Sequence, residues 1–540
     1  MTEVVVIGGG VGGLTAAHEL AERNIDVTVY EAENRVGGKA RSIPVDTGPA
    51  PLHGEHGFRF FPAFYRHVID TMQRIPDGQG TVADNLVETE ATLLAGIDAE
   101  DRVAVTRTPD TPREWLESAR PAFAEDLPRR DVVFLLERLL YLLTSCQERR
   151  ESELEHISWW DFLEADERST AFRERIAYAV QALVALRPEL GSARTIGTIY
   201  AQLLFGQLDP RRPTERILNG PTSLAWLDPW VDYLRREGAT ICTGQAVRSL
   251  SFDGTRVTGI TLADGSPVEA DHVVLAVPVH HAPEFVTPEI ERAAPPLAGI
   301  DRLDTAWMNG IQFYLSRDVP LTRGHQVYRD APWALTSVSQ RQFWTDYDFT
   351  NRGPDAVNGV LSVIASDWNT PGILHDKPAR KCTRKEIAEE IWAQVLTHIG
   401  DEYCLTDDDL VDWFLDPAIV ETDDGVENRS PLLVNTVGSL EHRPPADPGL
   451  PGLAVAGDYV RTHTDLASME AANEAGRRAA NVVLRRSGRA GRAEVWPLKE
   501  PAIFRPLRRQ DRRRYRLGLP HPAAVGDAIR SLTRRLPGPV

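Results

Sequence analysis

At 540 residues the chain is too long for one hydrophobic core, so two interlocked domains are the starting expectation. With 42% hydrophobic and 26% charged residues it can bury a large interior and stay in solution. The formal charge of -18 hides an asymmetry: residues 485–540 hold 15 Arg or Lys against 4 Asp or Glu, a net of +11, so the rest carries -18 - 11 = -29. An acidic body of this kind argues against a nucleic-acid partner.

Four cysteines occur, Cys146, Cys242, Cys382 and Cys404, at no metal-ligand or redox spacing. Neither a metal site nor a disulfide scaffold is expected, and a reducing compartment fits. No signal peptide precedes the apolar strand that begins at Val4, and the longest apolar stretch, Val132 to Leu143, is cut by Glu137 and Arg138. A cytoplasmic soluble protein is the expectation. There is no Cys–His pairing and no GxSxG elbow, so nucleophilic hydrolysis is not indicated.

In chain order, Val4 to Ile7 is a β-branched run, as in a strand buried on both faces of a parallel sheet. Gly8-Gly9-Gly10-Val11-Gly12-Gly13 follows at once, and Leu14 to Arg23 reads as an amphipathic helix. A second buried strand, Val27 to Tyr30, ends in Glu31. Gly8 permits the tight turn, Gly10 lets the backbone approach a pyrophosphate, and Gly13 lets helix and strand pack closely. The helix N-terminus offers free N–H groups to phosphate, and Glu31 is placed to accept from ribose hydroxyls. This is a dinucleotide-binding unit.

A middle block runs from Arg216 to Val279. It holds a helix through Trp230 to Arg236, strands at Ala239–Thr243 and Val247–Ser251, a hairpin, and a buried strand from His272 to Val277. A last block, Gly452 to Leu484, has a strand at Leu453–Ala456, then Gly457-Asp458, and a long helix opening near Met469. Between the blocks, helical periodicity is strongest over Val132–Leu143 and Phe172–Leu186.

Arg35-Val36-Gly37-Gly38-Lys39-Ala40-Arg41-Ser42 matches a second glycine-pair motif, and the chain resembles the flavin amine oxidase and carotene desaturase superfamily. The stretch Gly54 to Phe61 with Tyr65, the segments Met308–Tyr314 and Ser366–Trp368, and Ala456–Tyr459 followed by Leu466–Glu470 resemble the phytoene and ζ-carotene desaturases of plants and cyanobacteria. Bacterial hydroxysqualene dehydroxylases share much of this pattern. Lys39 stands where Arg is commoner, which exchanges a planar fork for a point charge. Ala471-Ala472 stand where Gly-Ala is usual.

The resemblance implies non-covalent FAD. It places Gly8, Gly10, Val11, Gly12, Gly13, Glu31, Ala32, Lys39, His56, Gly57, Tyr65, Val247, Gly457, Asp458 and Met469 at the cofactor, with the helix N-terminus near Met469 aimed at the flavin N1–C2=O edge. His56 and Arg59 are the catalytic candidates, and for His56 a backbone-contact role beside the cofactor stays open. His463 and Asp465 rank behind them and are expected in solvent. The implied fold is an α/β Rossmann-like, three-layer FAD-binding domain (1–58, 216–279 and 449–484) with an interleaved α+β substrate-binding domain (59–215 and 280–448).

The expected function is FAD-dependent dehydrogenation or desaturation of a lipophilic, isoprenoid- or carotenoid-like substrate, with a quinone or oxygen as electron acceptor. An amine oxidase ranks second, because that branch carries a lysine on the strand corresponding to Met308–Leu315 and this chain has none between Lys39 and Lys377. Redox-neutral isomerisation or dehydroxylation and a non-catalytic FAD-binding partner complete the alternatives. The basic tail, 485–540, mixes arginines with Trp496, Phe504, Leu507, Tyr515 and Leu517. Two compatible readings stand: an arm strapped across the acidic body, or peripheral contact with an anionic membrane.

Overall fold

The computed structural model describes residues 2–45, 51–97, 102–105, 127–208, 213–349 and 357–522. Its organising element is a five-stranded parallel sheet drawn from all three sequence blocks. The strands are β1 (Glu3–Ile7), β2 (Asp26–Tyr30), β3 (Thr240–Cys242), β4 (His272–Leu275) and β5 (Leu453–Val455), in the order β3-β2-β1-β4-β5. Central β1 pairs Val5 with Thr28 on one side and with Val273 on the other. Val4, Val5, Val6 and Ile7 are all buried, each side chain contributing on the order of 1.5–3 kcal/mol.

Helix α1 (Val11–Ala21) follows β1, and every one of its residues is buried. The amphipathic helix expected here is therefore covered on its outer face as well. Helix α2 (Met469–Arg486) supplies that cover, approaching so closely that Asn473 Nδ2 donates to Thr15 Oγ1 at 2.9 Å. Even the polar residues of α1 are partnered: His18 Nδ1 accepts from Trp230 Nε1 at 3.0 Å, and Glu19 pairs with Arg23 at 2.7 Å and with Arg74. A three-stranded antiparallel meander, Val247–Phe252, Val257–Leu262 and Pro267–Glu269, packs on β4 of the sheet through its middle strand.

The remaining segments form a seven-stranded mixed sheet and a helical cluster. The sheet runs 102–105, 91–95, 325–328, 335–339, 359–365, 309–315, 410–415, antiparallel except where Ala91–Ala95 meets His325–Tyr328. The helix Arg384–Tyr403 buries Ile387, Ile391, Trp392, Val395 and Ile399 against it. The helices Arg129–Thr144 and Ala193–Leu208 pack around Trp159. The helical pattern over Phe172–Leu186 is broken in the fold: a π turn, Arg173–Ala177, leads into a short helix, Ala179–Val184, which stops at left-handed Ala185.

The basic tail is an arm on the body through Pro522. Helix α3 (Arg505–Arg516) turns Asp511 inward, where it accepts from Cys146 N at 2.8 Å and Arg149 Nε at 3.0 Å. Arg512 reaches Glu148 at 2.9 Å, and Trp496 lies under the guanidinium groups of Arg66 and Arg477. Beside this arm, the helix Arg129–Thr144 leaves Val133, Leu136 and Leu140 about half exposed along one face, and Ile503, Leu507 and Leu517 of the arm are also exposed. Among the described residues no helix is long and apolar enough to cross a membrane.

Candidate functional site

The turn between β1 and α1 is shaped for an anion. Gly8 has φ +100°, and a Cβ there would lie 2.7 Å from the Ala276 carbonyl oxygen. A Cβ on Gly13 would sit 1.9 Å from the Gly8 oxygen, so neither position admits a side chain. At Gly10 the nearest protein atom to such a carbon is Gly38 Cα at 4.0 Å, which leaves the space over the turn clear. Gly10 caps α1 without any side-chain hydrogen bond, and the first turn contains no acid, so the N–H groups at Val11 and Gly12 face that space. Gly12 also lies against Gly457, whose amide nitrogen would be 3.2 Å from a Cβ.

Glu31 is buried at the end of β2. Its carboxylate accepts from Gly9 N at 2.7 Å and from Glu33 N at 2.9 Å, and each oxygen keeps a further lone pair. The loop before the meander runs alongside, with Gly244 N donating to Glu33 O and Gln245 N to Glu31 O. This brings Val247 and exposed Ala32 to the same end of the cleft. Glu31, Ala32 and Val247 thus mark one end, and the glycines mark its middle.

The other end gathers charge. Lys39 lies on the short turn Gly38–Ala40, and its ammonium makes no ion pair among the described residues. Burial pushes its pKa down, against the pull of Asp458 and Asp416. Arg59 donates to the carbonyls of Lys39 and Phe58, yet its buried Nε has no partner among the described residues. Burial also lowers its pKa, opposed by Glu55, Asp416 and Tyr65. Two half-buried cations with no carboxylate in contact among the described residues are partly desolvated in the free protein, and an incoming anion relieves that cost. The donor set therefore fits a diphosphate and the electron-rich edge of an oxidised ring.

Tyr65 joins this end. Burial pushes its phenol well above the usual range and the Glu470 carboxylate adds to this, while the hydroxyl of Ser468, the cap of α2, pulls the other way. Glu470, in the first turn of α2, accepts from the backbone N–H groups of Arg66, His67 and Val68 at 2.7–3.0 Å and from His67 Nδ1 at 2.7 Å. It locks the Tyr65 loop to the helix N-terminus at Met469. Ala471 N donates to Ser468 Oγ at 3.2 Å, and the helix starts normally despite the Ala471-Ala472 pair.

His56 occupies the loop beneath. Its Nδ1 contacts the Asp416 carboxylate, while its buried Nε2 has no partner among the described residues. The strand Asn309–Leu315 crosses this loop at Gly310, where a Cβ would lie 2.6 Å from Gly57 Cα. A Cβ on Gly57 would in turn meet Ile364 at 2.9 Å. Nearby His280, its Nδ1 also unpartnered among the described residues, is pushed down to about 4 by burial and by the Lys39 ammonium.

The structure thus brings Lys39, His56, Gly57, Arg59, Tyr65, Asp458 and Met469 to one end of a cleft that begins at Glu31. It corrects the expectation for Asp465: this residue is buried, paired with Arg194 at 2.6 Å and Arg443 at 2.5 Å, and knits the loop to the helical cluster. His463 is exposed as expected. Asp416, Asn309, Glu470 and His280 carry no role in the sequence reading. Only Asn309 and Glu470 lay within motifs that singled out their neighbourhood.

Comparison with known proteins places this geometry. The profile of the family described as flavin containing amine oxidoreductase matches residues 11–484. The all-trans-zeta-carotene desaturase of Myxococcus xanthus is 23% identical over 366 residues, 64% of each chain. The carotenoid phi-ring synthase of Chlorobaculum tepidum is 23% identical over 288 residues, 52% of this chain and 42% of that protein. The chain spans less than two thirds of the length of these curated relatives. Among solved structures, an oxidoreductase from Methanosarcina mazei aligns over 90% of this chain and 100% of that one at a TM-score of 0.59 and 15% identity, a likeness of fold. The glycine turn, the charged end beyond it and the match across residues 11–484 converge: the chain belongs to the flavin-containing amine oxidoreductase family.

Proposed function

We propose that this enzyme dehydrogenates a lipophilic, isoprenoid-like substrate, forming a carbon–carbon double bond. The observation that carries the reading is the strand Asn309–Leu315, buried throughout and laid against the His56 loop with no lysine in it. An amine oxidase of the kind that uses a lysine on this strand has no counterpart for it here. The extended similarity to a carotene desaturase supports the substrate class.

Bound FAD supplies an oxidised ring able to accept a hydride. For its binding we assign the adenosine end to Glu31, Ala32 and Val247. The diphosphate falls to Gly8, Gly10, Val11, Gly12, Gly13 and Lys39, with Gly457 and Asp458 behind them. His56, Gly57, Arg59, Tyr65 and Met469 surround the ring. Lys39, Arg59 and the N-terminus of α2 offset negative charge there, and the buried walls keep water from the reacting carbon. A substrate of this kind dissolves in bilayers. The exposed Val133, Leu136 and Leu140, with the arginines of α3 beside them, suit reversible contact with an anionic lipid surface.

The test is anaerobic mixing of the holoenzyme with ζ-carotene in phosphatidylcholine vesicles, and separately with putrescine and benzylamine. Bleaching of the flavin by the polyene, with a product carrying one more double bond, is the expected result. Bleaching by either amine alone overturns the reading.

A further inference from the structure

We propose that His56 and Asp416 form a carboxylate–imidazole dyad whose second ring nitrogen takes the proton released as the substrate is dehydrogenated; this rests on the desaturase reading above. The dyad is assembled from three distant parts of the chain. Asp416 Oδ2 contacts His56 Nδ1 and accepts from Asn309 Nδ2 at 2.6 Å, while its Oδ1 accepts from Ala418 N at 3.0 Å. Asn309 is itself fixed, its Oδ1 accepting from Asn428 Nδ2 at 2.7 Å. The backbone repeats the clamp: Gly310 N donates to His56 O at 2.5 Å, and Asp416 N donates to Gly310 O at 3.2 Å.

Burial raises the Asp416 pKa, but the His56 ring, the Ala418 N–H and the Asn309 amide outweigh it and hold the carboxyl well below its usual range. Asp416 is therefore an acceptor only. It keeps the single proton of a neutral imidazole on Nδ1 and leaves the Nε2 lone pair free. That nitrogen is buried and has no partner among the described residues. The other charged groups around the dyad are Lys39, Arg59, Arg384, Glu55 and Asp458; Arg384 also donates to the Asp416 carbonyl at 3.0 Å. One ring nitrogen is thus fixed by Asp416, and the other is left unsatisfied inside the protein among the described residues.

Converting CH–CH to C=C removes a hydride and a proton. The hydride leaves with both electrons of one C–H bond, to the oxidised flavin. The electrons of the second C–H bond become the new π bond, and its proton forms an N–H bond at Nε2. The imidazolium so formed sits against the Asp416 carboxylate, the arrangement that stabilises such a charge.

Isotope-labelled histidine in the holoenzyme, with His56→Gln to assign the signal, reads the tautomer by nitrogen NMR. At mildly alkaline pH the expected His56 has Nδ1 protonated and Nε2 bare. In Asp416→Asn the new amide donates to Nδ1 and moves the proton to Nε2. Per bound flavin, both variants should bleach with ζ-carotene about 100-fold or more slowly than the parent enzyme. A bare Nδ1 in the parent, or a His56→Gln enzyme within about threefold of parent rate, overturns the dyad. If His56→Gln does not retain flavin, Asp416→Asn decides by tautomer and rate together. If ζ-carotene bleaches no form, the desaturase reading fails on its own, and the tautomer alone supports or overturns the dyad.

Discussion

A side chain on Gly476 would place its first carbon 2.4 Å from the carbonyl oxygen of Gly12, so α1 and α2 meet backbone to backbone directly beneath the phosphate turn. Gly476→Val must push the helices apart, and overpacking of this kind costs roughly 1–3 kcal/mol. The expected outcome is a lower Tm together with a raised FAD Kd, because the displaced helix carries the turn. A variant that loses stability but binds FAD unchanged would separate the two.

Glu31→Ala removes a buried carboxylate that accepts from Gly9 N and Glu33 N. With the charge-assisted bond to ribose gone as well, FAD affinity should fall by roughly 1.5–3 kcal/mol. Equilibrium dialysis of the variant measures it, and unchanged occupancy removes Glu31 from the site.

Lys39→Met should act in opposite directions on the two forms of the protein. The ammonium is half-buried and has no ion-pair partner among the described residues, so the apoprotein should melt slightly higher than its parent. FAD should bind more weakly, by about tenfold or more, since the charge-assisted contact is lost. Melting curves with and without FAD test this: the gap between them must shrink.

No described cysteine lies at the inner end of the cleft; Cys242 on β3 is beside Glu31, at the opposite end. Acid precipitation should therefore release all FAD to the supernatant, and colour left in the pellet would show a covalent link.

The tail makes two measurable claims. Asp511 is buried against Arg149, and breaking a buried pair costs about 3–5 kcal/mol, so Asp511→Ala or truncation after Leu484 should lower Tm markedly. Intact protein should float with anionic liposomes at low salt and not at high salt, each arginine near the surface contributing about 1 kcal/mol. Leu136→Asp should abolish flotation without lowering Tm. Failure of the intact protein to float at low salt refutes the lipid contact.

The parallel sheet and the glycine turn were legible because their signals are local: a β-branched run, a fixed glycine spacing and a terminal acid. The full burial of α1 was not, because its cover comes from a helix more than 450 residues along the chain. Asp416 was invisible for a related reason. It follows a strand whose pairing with Asn309–Leu315 is set by sheet register, and nothing in its neighbours announces His56. Asp465 misled in the other direction. Its Thr-His-Thr-Asp setting reads as solvated loop, while the arginines that bury it lie at 194 and 443.

The order of the parallel sheet also dictates a timetable. Strand β1 is made first and β5 near residue 455, yet they flank the same neighbour, β4. The glycine turn thus leaves the ribosome long before the helix that braces it, and waits without a finished cofactor cleft. Pairings so distant in sequence close slowly. Flavin capture therefore waits until α2 has been made and has packed on α1.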